Sequence, residues 1–411
     1  MTRRSFLQSA AKAILAMGFG GLFSPRSAFA ADGVQHLRQM VTAHPAKTRM
    51  IQWDSPQQLE NVRVEQRDSK GHIAHTIPAY TYLAMDDEVQ FIYRCEIPAT
   101  AGSFYRVTHA AGVTDWIPLL PIHEDGQVRA LLFSDSQCGE SYEVWETTYQ
   151  TAWKRHPNAD CAAIVGDLTD NGESAWHWRS FFESMETGTA LARHPHVPVL
   201  GNHEYYGLQW TAVPPVRYLK TFALPDNASR DFRGHYYSFD IGAAHIIILD
   251  TQFLEAEERG NALKAEQMDW LRRDAAESTA PWKIVLMHKD ILAYGDYQPE
   301  QNRNDGISDV GQVFLDVFDE LGIDLVVSGH VHAYRRRRIR ARQTDEHGTL
   351  YLLAGPAGNQ YFDVRPEKFD IVAGPNPTPS NYLYMESDTQ HLHIHCETVN
   401  GTVLDTIDLH K

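Results

Sequence analysis

Five short segments carry side chains that bind metal ions, and they follow one another over about two hundred residues. They are Asp135-Ser136-Gln137, Gly166-Asp167-Leu168-Thr169-Asp170, Gly201-Asn202-His203-Glu204, His288, and Gly329-His330-Val331-His332. Together they offer carboxylate, amide and imidazole ligands, a mixture that suits hydrolytic sites with two metal ions. Each segment alone is an ordinary loop or helix cap, so the prediction depends on the ordered set.

The two carboxylates explain how two ions could be held side by side. Asp135 and Asp167 are the candidates, because one bridging carboxylate holds two cations at the spacing of about 3.5–4 Å that two-metal hydrolysis needs. Asn202 adds a neutral amide oxygen. Gln137 offers a carbonyl oxygen, which is a weaker and harder ligand than imidazole. We therefore expect two unequal metal positions.

Three histidines complete the candidate set. His330 and His332 are two residues apart, which favours an extended segment or a turn, because on a helix their side chains would diverge. Gly329 is expected to permit the unusual backbone that turns both rings inward, as Gly166 and other loop glycines would in their segments. His288 supplies the third imidazole.

Apolar runs precede these segments and are the elements that must position them. They cover residues 128–133, 162–165, 197–200, 284–287 and 325–328. Helical patterns are predicted over 142–155, 175–187, 265–276 and 310–321. Nearly continuous Val, Ile and Leu strands that alternate with helices indicate a sheet covered on both faces. Because ligands bind at the carboxyl ends of such strands, the five loops are expected to meet at one point.

The segment from residue 34 to about residue 122 has a different pattern. Short alternating runs, such as 48–53, 62–65, 91–94 and 103–107, are broken by Gly, Pro, Asp and Asn. Strands at this spacing predict a small antiparallel sandwich. This segment contains no cluster of metal ligands in the sequence, so the chemistry is expected to lie after residue 125.

The first thirty residues read as an export signal. Arg3 and Arg4 form a twin-arginine pattern, an apolar stretch over 13–23 follows, and Ala28-Phe29-Ala30 is a cleavage site. The stretch is too short to span a bilayer. We predict removal after Ala30 and a periplasmic or secreted protein exported by the twin-arginine pathway. An uncleaved N-terminal anchor is the alternative.

Charge and cysteine content limit the partners. Four of the 37 basic residues lie in the first thirty, so the remaining chain has 33 against 53 acidic residues, a net charge of about −20. Such a surface repels nucleic acid and anionic membranes. We expect no nucleic-acid partner and no stable membrane insertion.

Four cysteines are too few for a disulfide framework. Buried free thiols are expected, with a Cys95–Cys396 bridge as the open alternative.

The ordered set resembles the calcineurin-like metallophosphoesterases over roughly residues 125–411. Within that superfamily it is most similar to the purple acid phosphatases, also through the segments 267–271, 282–288 and 328–334. The resemblance implies an α/β (α+β) four-layer sandwich, in which helices flank two mixed β-sheets. It also implies that residues 31–124 form a small all-β, fibronectin-III-like sandwich domain before the metallophosphoesterase domain of residues 125–411.

The resemblance also implies roles for individual residues. Asp135 and His332 would bind a first metal, Asp167 would bridge, and Asn202, His288 and His330 would bind a second. Gln137 is a further candidate ligand of the first metal. His203 would be the catalytic proton donor or would stabilise the transition state, and Glu204 would orient it. The two ions would be divalent or trivalent Fe, Mn or Zn. A metal-bound hydroxide would then hydrolyse a small phosphate monoester. A phosphodiesterase, of cyclic nucleotides or other diesters, is the first alternative, and a non-catalytic binding protein with a degraded metal site is the second.

Three departures from the purple acid phosphatase pattern concern the first metal and the substrate. Asp170 stands where those enzymes carry the tyrosine that colours them, so we predict a protein without the purple band. Gln137 stands where other branches of the superfamily have histidine. No histidine lies between His288 and His330, and Lys289 or Arg303 is the candidate to replace that positive charge.

Three further patterns have two interpretations each. The basic run over 335–338 is expected to be an exposed strand, with a phosphate contact as the alternative. His391, His393 and His395 alternate along a predicted strand and share one face, so they form either a polar surface or a metal site. The tryptophans near residues 145–178 are expected to be core, and a substrate contact by Trp176 or Trp178 is the alternative.

Overall fold

A computed structural model of the chain describes residues 31–85, 88–122, 126–297 and 305–411. The predicted export signal and Arg303 lie outside the described residues. Within them, no helix is both long and apolar enough to cross a membrane. All four cysteines are buried and free, so the open alternative of a Cys95–Cys396 bridge is wrong.

The first part of the chain is made of strands, as its alternating pattern predicts. They are β1 (Gln35–Met40), β2 (Thr48–Ser55), β3 (Arg63–Arg67), β4 (Ile73–Thr76), β5 (Ala79–Met85), β6 (Glu88–Pro98), β7 (Phe104–His109), β8 (Gly112–Val113) and β9 (Ile117–Pro118). Two sheets result, one containing β1, β2, β5 and β6 and one containing β3, β4, β7, β8 and β9. They share a buried core that includes Ile51, Trp53, Val64 and Tyr105.

The second part alternates strands with helices. Its helices are α1 (Glu143–Arg155), α2 (Ala175–Glu186), α3 (Ala190–Arg193), α4 (Val216–Thr221), α5 (Gly260–Glu277) and α6 (Asp309–Leu321). Its strands are β10 (Val128–Phe133), β11 (Cys161–Val165), β12 (Pro195–Val199), β13 (Tyr237–Ile241), β14 (Ala244–Leu249), β15 (Trp282–Met287), β16 (Leu325–Ser328), β17 (Arg335–Arg340), β18 (Gln343–Thr344), β19 (Thr349–Leu353), β20 (Val372–Ala373), β21 (Asn381–Ser387), β22 (His391–Thr398) and β23 (Val403–His410). The four predicted helices are confirmed within a few residues.

Two large mixed sheets form the framework. One has the order β23-β22-β21-β10-β11-β12-β1-β2-β6-β5, and the other runs β13-β14-β15-β16-β19-β17-β18 with β20 beside β17. A single core between them contains Leu132 and Val197 from the first sheet and Ile246 and Leu286 from the second. Helices α1 and α2 cover the outer face of the first sheet, and α5 and α6 cover that of the second. The mixed α/β architecture is therefore confirmed.

The N-terminal strands continue the first large sheet. β1 lies parallel to β12, with Gln39 opposite Pro195, and antiparallel to β2 on its other side. Main-chain hydrogen bonds therefore join residues before and after the predicted boundary at residue 125. The fibronectin-like character of residues 31–124 stays a prediction.

Candidate metal centre

The predicted ligands converge where strands of the two sheets end. Asp167, His288 and His330 place one ligand atom each within 4.8 Å of one another, and Asp135, Asp167 and His332 form a second group of the same kind. Asp167 belongs to both groups. All five residues are buried. The structure therefore joins side chains that are far apart in sequence into two adjoining donor sets with one shared carboxylate.

Two of the imidazoles are held in the tautomer that binds metals. The Nδ1 atom of His288 donates to the carbonyl oxygen of Val165 at 2.9 Å, and that of His332 donates to the carbonyl oxygen of Gln360 at 2.6 Å. Because a carbonyl oxygen only accepts, each Nδ1 carries a proton, and Nε2 is the atom of each ring that is turned toward the carboxylates and would bind a metal. The Nε2 of His288 lies 3.0 Å from Asp167 Oδ2, and that of His332 lies 3.4 Å from Asp135 Oδ1.

Two side-chain amides lie in the same place. The Oδ1 atom of Asn202 is buried without a hydrogen-bond partner in the described part of the chain, which is costly unless a cation or water meets it. The amide end of Gln137 lies 3.1 Å from His332 Nε2. With its oxygen at that end, its nitrogen donates to the carbonyl oxygens of Asp167 and Asp135 at 3.1 and 3.2 Å. Gln137 therefore has an orientation that presents an oxygen to the site.

His203 lies at the rim of the centre. Its backbone N–H donates to Asp167 Oδ1 at 2.9 Å, and its Nδ1 donates to the carbonyl oxygen of Asp170 at 2.6 Å. Its Nε2 is 3.8 Å from Asp167 Oδ2. Burial alone would lower the pKa of His203, but attraction to Asp167 and Asp170 outweighs burial and raises it. The protonated ring, with a donor on each nitrogen, is therefore favoured.

The expectation that Glu204 orients His203 is wrong. The Glu204 carboxylate accepts hydrogen bonds from the backbone N–H groups of Gly201, Asp167, Leu168 and Thr169, at 2.8 to 3.3 Å. It fastens the second ligand loop to the third. Burial, followed by repulsion from Asp167, raises the pKa of Glu204 to about 7. The carbonyl oxygen of Asp170 is what holds the His203 ring.

The backbone of the ligand loops is strained at the predicted metal-ligand residues. Asp135, Asp167, His330 and His332 have φ values of 55°, 51°, 75° and 54°, in the left-handed region. Such positions cost of order 1–3 kcal/mol each and persist only where the surrounding structure imposes them. Their coincidence with four predicted ligands shows that the fold maintains this geometry at an energetic cost.

Glycines at the centre are required for two different reasons. Gly166 has a φ of 81°, and a Cβ there would overlap the ring of His288. Gly329 has no such φ, so the expected reason is wrong for it. A Cβ at Gly329 would instead overlap the hydroxyl of Ser134, which donates to Asp135 Oδ2 at 2.7 Å. Close approach of loops, rather than backbone freedom, requires glycine at residue 329.

The buried charges of the centre favour a cation. Burial alone would raise the pKa of Asp167, but the positive His288 and His203 rings outweigh burial and lower it. Burial would lower the pKa of His288, but Asp167 raises it to about 9. Burial raises the pKa of Asp135. A metal ion would supply the same positive charge between the two carboxylates. Both the donor atoms and the negative electrostatic potential of the centre therefore suit a metal ion.

Asp170, Lys289 and the arginines of the basic run lie outside the donor groups. The Asp170 Oδ1 atom accepts from Gln360 Nε2 at 2.6 Å. Lys289 is bound to both oxygens of Glu255 at 2.7 Å. The basic run is not an exposed strand as expected, because Arg335 and Arg337 are buried in β17. They form ion pairs: Arg337 with Asp290, and Arg335 with Asp370 at 3.5 Å.

Several aromatic residues at the rim have no motif in the sequence. Trp210 is half exposed, has a φ of 59°, and its ring meets that of His203 edge to face at 6.2 Å. The Tyr206 ring contacts both of these rings, and its hydroxyl accepts from Asn202 Nδ2 at 3.4 Å. On the far side Phe362 lies against His332, with ring centres 4.4 Å apart. Tyr206 and Trp210 could have been found in the sequence only because they follow the third ligand segment closely in the chain.

Three of the four tryptophans after the first block are in the core as expected, and Trp176 is not. Trp145 and Trp178 are fully buried in the core under α1 and α2, and Trp153 is nearly so. Trp176 is 41% exposed, but its ring contacts are with Tyr142 and His177 rather than with the ligands named above.

A buried, shared-carboxylate donor set at the ends of strands from two mixed sheets defines an α/β metal-binding protein. The family model described as calcineurin-like phosphoesterase matches residues 128–334, about half of the chain. The chain belongs to this family.

Similar proteins point to one branch of it. The chain is 29% identical over 205 residues to purple acid phosphatase 15 of Arabidopsis thaliana, covering 49% of this chain and 35% of that protein. It is 26% identical over 232 residues to purple acid phosphatase 22 of the same plant, covering 53% and 49%. The chain thus spans about a third to a half of the length of these curated relatives.

Solved structures share the fold over most of the chain. Purple acid phosphatase PPD1 from yellow lupin (Lupinus luteus) seeds has a TM-score of 0.74 at 16% identity, covering 92% of this chain and 74% of that one. A structure described as PhoD has a TM-score of 0.58 at 12% identity, covering 95% and 90%. At these identities the likeness concerns the fold alone.

Proposed function

We propose that this protein is a metal-dependent phosphoesterase that hydrolyses small phosphate monoesters at a centre for two metal ions. The observation that carries the proposal is the position of Asp167, whose carboxylate belongs to both donor groups. A carboxylate shared in this way holds two cations close enough to act on one phosphate. Membership of the calcineurin-like phosphoesterase family supports the same reaction class.

We assign the ligands to two sides of the centre. Asp135, His332 and Gln137 form the side of the first metal, and Asn202, His288 and His330 form the side of the second, with Asp167 between them. Two bound ions, of Fe, Mn or Zn, would polarise the phosphate and supply a nucleophile at neutral pH. His288 and His332 keep their Nε2 atoms aimed at the site through hydrogen bonds from Nδ1 to backbone carbonyl oxygens.

His203 is assigned the role of proton donor to the leaving alkoxide. The Asp170 carbonyl oxygen accepts from its Nδ1, and its Nε2, the atom that would carry the proton, faces Asp167. A donor held at the rim can reach a leaving group that points toward solvent. His203 acts on the substrate rather than on the metals in this proposal.

The test is to measure metal content and turnover on the purified mature protein. About two metals per chain, faster turnover of a nitrophenyl monoester than of the matched diester, and loss of turnover in Asn202→Ala would support the proposal. Asn261→Ala, a change at an exposed residue of α5, is the control and should keep full turnover.

Other results would favour the alternatives. Preferred turnover of the diester would make the protein a phosphodiesterase. One metal or none, with no turnover after reconstitution with Fe, Mn or Zn, would indicate a binding protein with a degraded site.

We also propose that an iron-loaded sample lacks the purple band. Asp170 replaces the tyrosine of the purple acid phosphatase pattern. Tyr142 is near, but its hydroxyl accepts from the backbone N–H of Asp170 at 3.1 Å, and burial raises its pKa well above the usual range. A strong visible tyrosinate absorption in the iron form would contradict this.

The location of the protein remains a separate proposal. The twin-arginine pattern at Arg3 and Arg4 and the cleavage site ending at Ala30 support export to the periplasm or beyond. Cell fractionation and N-terminal sequencing of the mature chain test it. A chain that begins at residue 31 in the exported fraction supports it, and full-length protein retained in the cytoplasm contradicts it.

A further inference from the structure

The three alternating histidines of β22 do not share one environment. His391 and His393 each pair with a nearby aspartate, at 3.3 Å to Asp388 and 2.6 Å to Asp408. His395 is more buried and faces His156, which follows the last residue of α1. The sequence showed the strand histidines but gave no indication that His156 lies beside them.

Glu397 completes a cluster with the two histidines. The Nε2 atom of His156 is 3.1 Å from Glu397 Oε2, and the Nε2 atom of His395 is 3.7 Å from that same oxygen. One donor atom from each residue lies within 4.8 Å of the others. All three side chains are less than one-fifth exposed. Two imidazole nitrogens therefore converge on one carboxylate oxygen at the edge of the solvent.

These separations suit direct coordination of one ion. Zn²⁺ binds imidazole nitrogen and carboxylate oxygen at about 2.0–2.2 Å, so donors around a tetrahedral ion stand about 3.3–3.6 Å apart. The two measured distances, 3.1 and 3.7 Å, lie just on either side of that range. Shifts of a few tenths of an ångström would bring both distances into that range, and the donor atoms of the two histidines also lie within 4.8 Å of each other. A fourth position would be open to water.

Neighbouring side chains hold the donors in place. The His156 ring stacks on Tyr384 with ring centres 4.1 Å apart. Arg155 Nη1 lies 2.9 Å from the other Glu397 oxygen, Oε1, and the Tyr382 hydroxyl donates to Oε2 at 2.8 Å. A carboxylate oxygen has two lone pairs, so Oε2 can accept from Tyr382 and still bind an ion.

The guanidinium of Arg155 is the main opposing effect. Its positive charge weakens the attraction of a cation to Glu397. However, Arg155 is about one-third exposed and bonds the oxygen that points away from the imidazoles, so solvent and salt screen part of this repulsion. Arg–carboxylate bonds of this kind also orient metal ligands from outside.

We propose that His156, His395 and Glu397 form a third metal site, for a single divalent transition-metal ion such as Zn²⁺. None of the three residues belongs to the donor groups around Asp167. The ion would link the end of α1 to β22, and therefore fasten a helix that covers the first large sheet to the outer strands of that sheet. The site goes beyond the proposed hydrolytic function and does not depend on it.

The experiment compares zinc stoichiometry among matched variants of the full mature protein. Wild type, His395→Ala, His156→Gln and the control His393→Ala are dialysed against the same free Zn²⁺ concentration, and zinc per chain is measured. Wild type and His393→Ala should bind one zinc ion more than His395→Ala or His156→Gln. The comparison cancels whatever the central site binds, because its residues are the same in all four proteins.

Thermal unfolding gives the second measurement. Added Zn²⁺ should raise the Tm of wild type and His393→Ala more than that of the other two, because an ion that binds only the folded state stabilises it. Circular dichroism checks that each variant is folded. Equal zinc stoichiometry in all four proteins would overturn the third site, whether or not the protein is a phosphoesterase. If His395→Ala does not fold, the His156→Gln comparison decides alone.

Discussion

The two sides of the metal centre are supported by different parts of the fold. On the second-metal side, His288 directly follows β15 of one large sheet and donates to Val165, the last residue of β11 in the other. On the first-metal side, His332 donates to Gln360, which lies in a long segment without regular structure between β19 and β20. Strand ends are fixed by their hydrogen-bond ladders, whereas loops accept change more easily.

Two of the three departures from the purple acid phosphatase pattern fall on the loop-supported side. Gln137 lies beside His332, and Asp170 accepts a hydrogen bond from Gln360. His288 has little freedom to be replaced, since strands of both sheets hold it. We therefore expect the proposed reaction to depend on the sheet-supported side, and the choice and affinity of the metal to depend on the loop-supported side.

The largest effect is expected from His288→Ala, which removes the sheet-supported imidazole. Turnover should fall by more than about 100-fold, because the loss of a residue that only orients a metal ligand already costs about 10–100-fold. Metal content should fall by one ion per chain. The control is His347→Ala at an exposed histidine. Normal turnover with unchanged metal content in His288→Ala would contradict the greater importance of the sheet-supported side.

Gly166→Ala tests whether the close approach of the sheets is essential. The added Cβ must take up a left-handed φ and displace His288, so the free energy of unfolding should fall by about 2–5 kcal/mol. Urea unfolding measures this.

Two other glycines separate the causes of that loss. Gly71 has a similar φ of 86°, and no atom lies within 4 Å of a Cβ added there. Gly139 also has open space for a Cβ but does not have a left-handed φ. The variants Gly71→Ala and Gly139→Ala therefore separate the two effects. We expect a loss of about 1–2 kcal/mol in Gly71→Ala and almost none in Gly139→Ala. Equal losses in Gly166→Ala and Gly71→Ala would show that the contact with His288 adds nothing.

Gln137→Ala should have a moderate effect that is confined to the loop-supported side. Loss of the amide oxygen should weaken the more weakly bound metal by about 10–100-fold, while turnover at saturating metal changes less. Metal titration of activity measures both quantities. Gln137→His, which introduces the residue of other branches, should tighten metal binding. An unchanged titration curve in Gln137→Ala would remove Gln137 from the ligand set.

The smallest effect is expected at Trp210, which belongs to neither side. If its half-exposed ring contacts an aromatic leaving group, Trp210→Ala should raise KM for a nitrophenyl ester by about 2–10-fold, the equivalent of about 0.5–1.5 kcal/mol. KM for glycerol phosphate should stay unchanged, as should metal content. Trp210→Phe is the matched control that keeps an aromatic ring. Equal rises for both esters in Trp210→Ala would assign the residue to loop structure instead.

Much of the centre could be predicted from the sequence, because its chemistry is local. Each ligand follows an apolar strand, and a side chain's donor type depends only on its identity, so Asp135, Asp167 and His288 could be recognised without a fold. The expected helices are also present, since their periodic apolar residues are close together in the chain. The resemblance to a known family then supplied the order of the ligand roles.

The tertiary structure decided which distant groups meet. Glu204 binds four backbone N–H groups instead of His203, and Arg337 is buried against Asp290 instead of exposed. The joining of His156 to His395, and of β1 to β12, likewise depends on how the sheets assemble. Many residues could serve equally well as a partner in each case, so the sequence pattern alone does not single one out. The sequence by itself determined which donors exist and in what order, and the packing of two sheets determined what holds each donor in place.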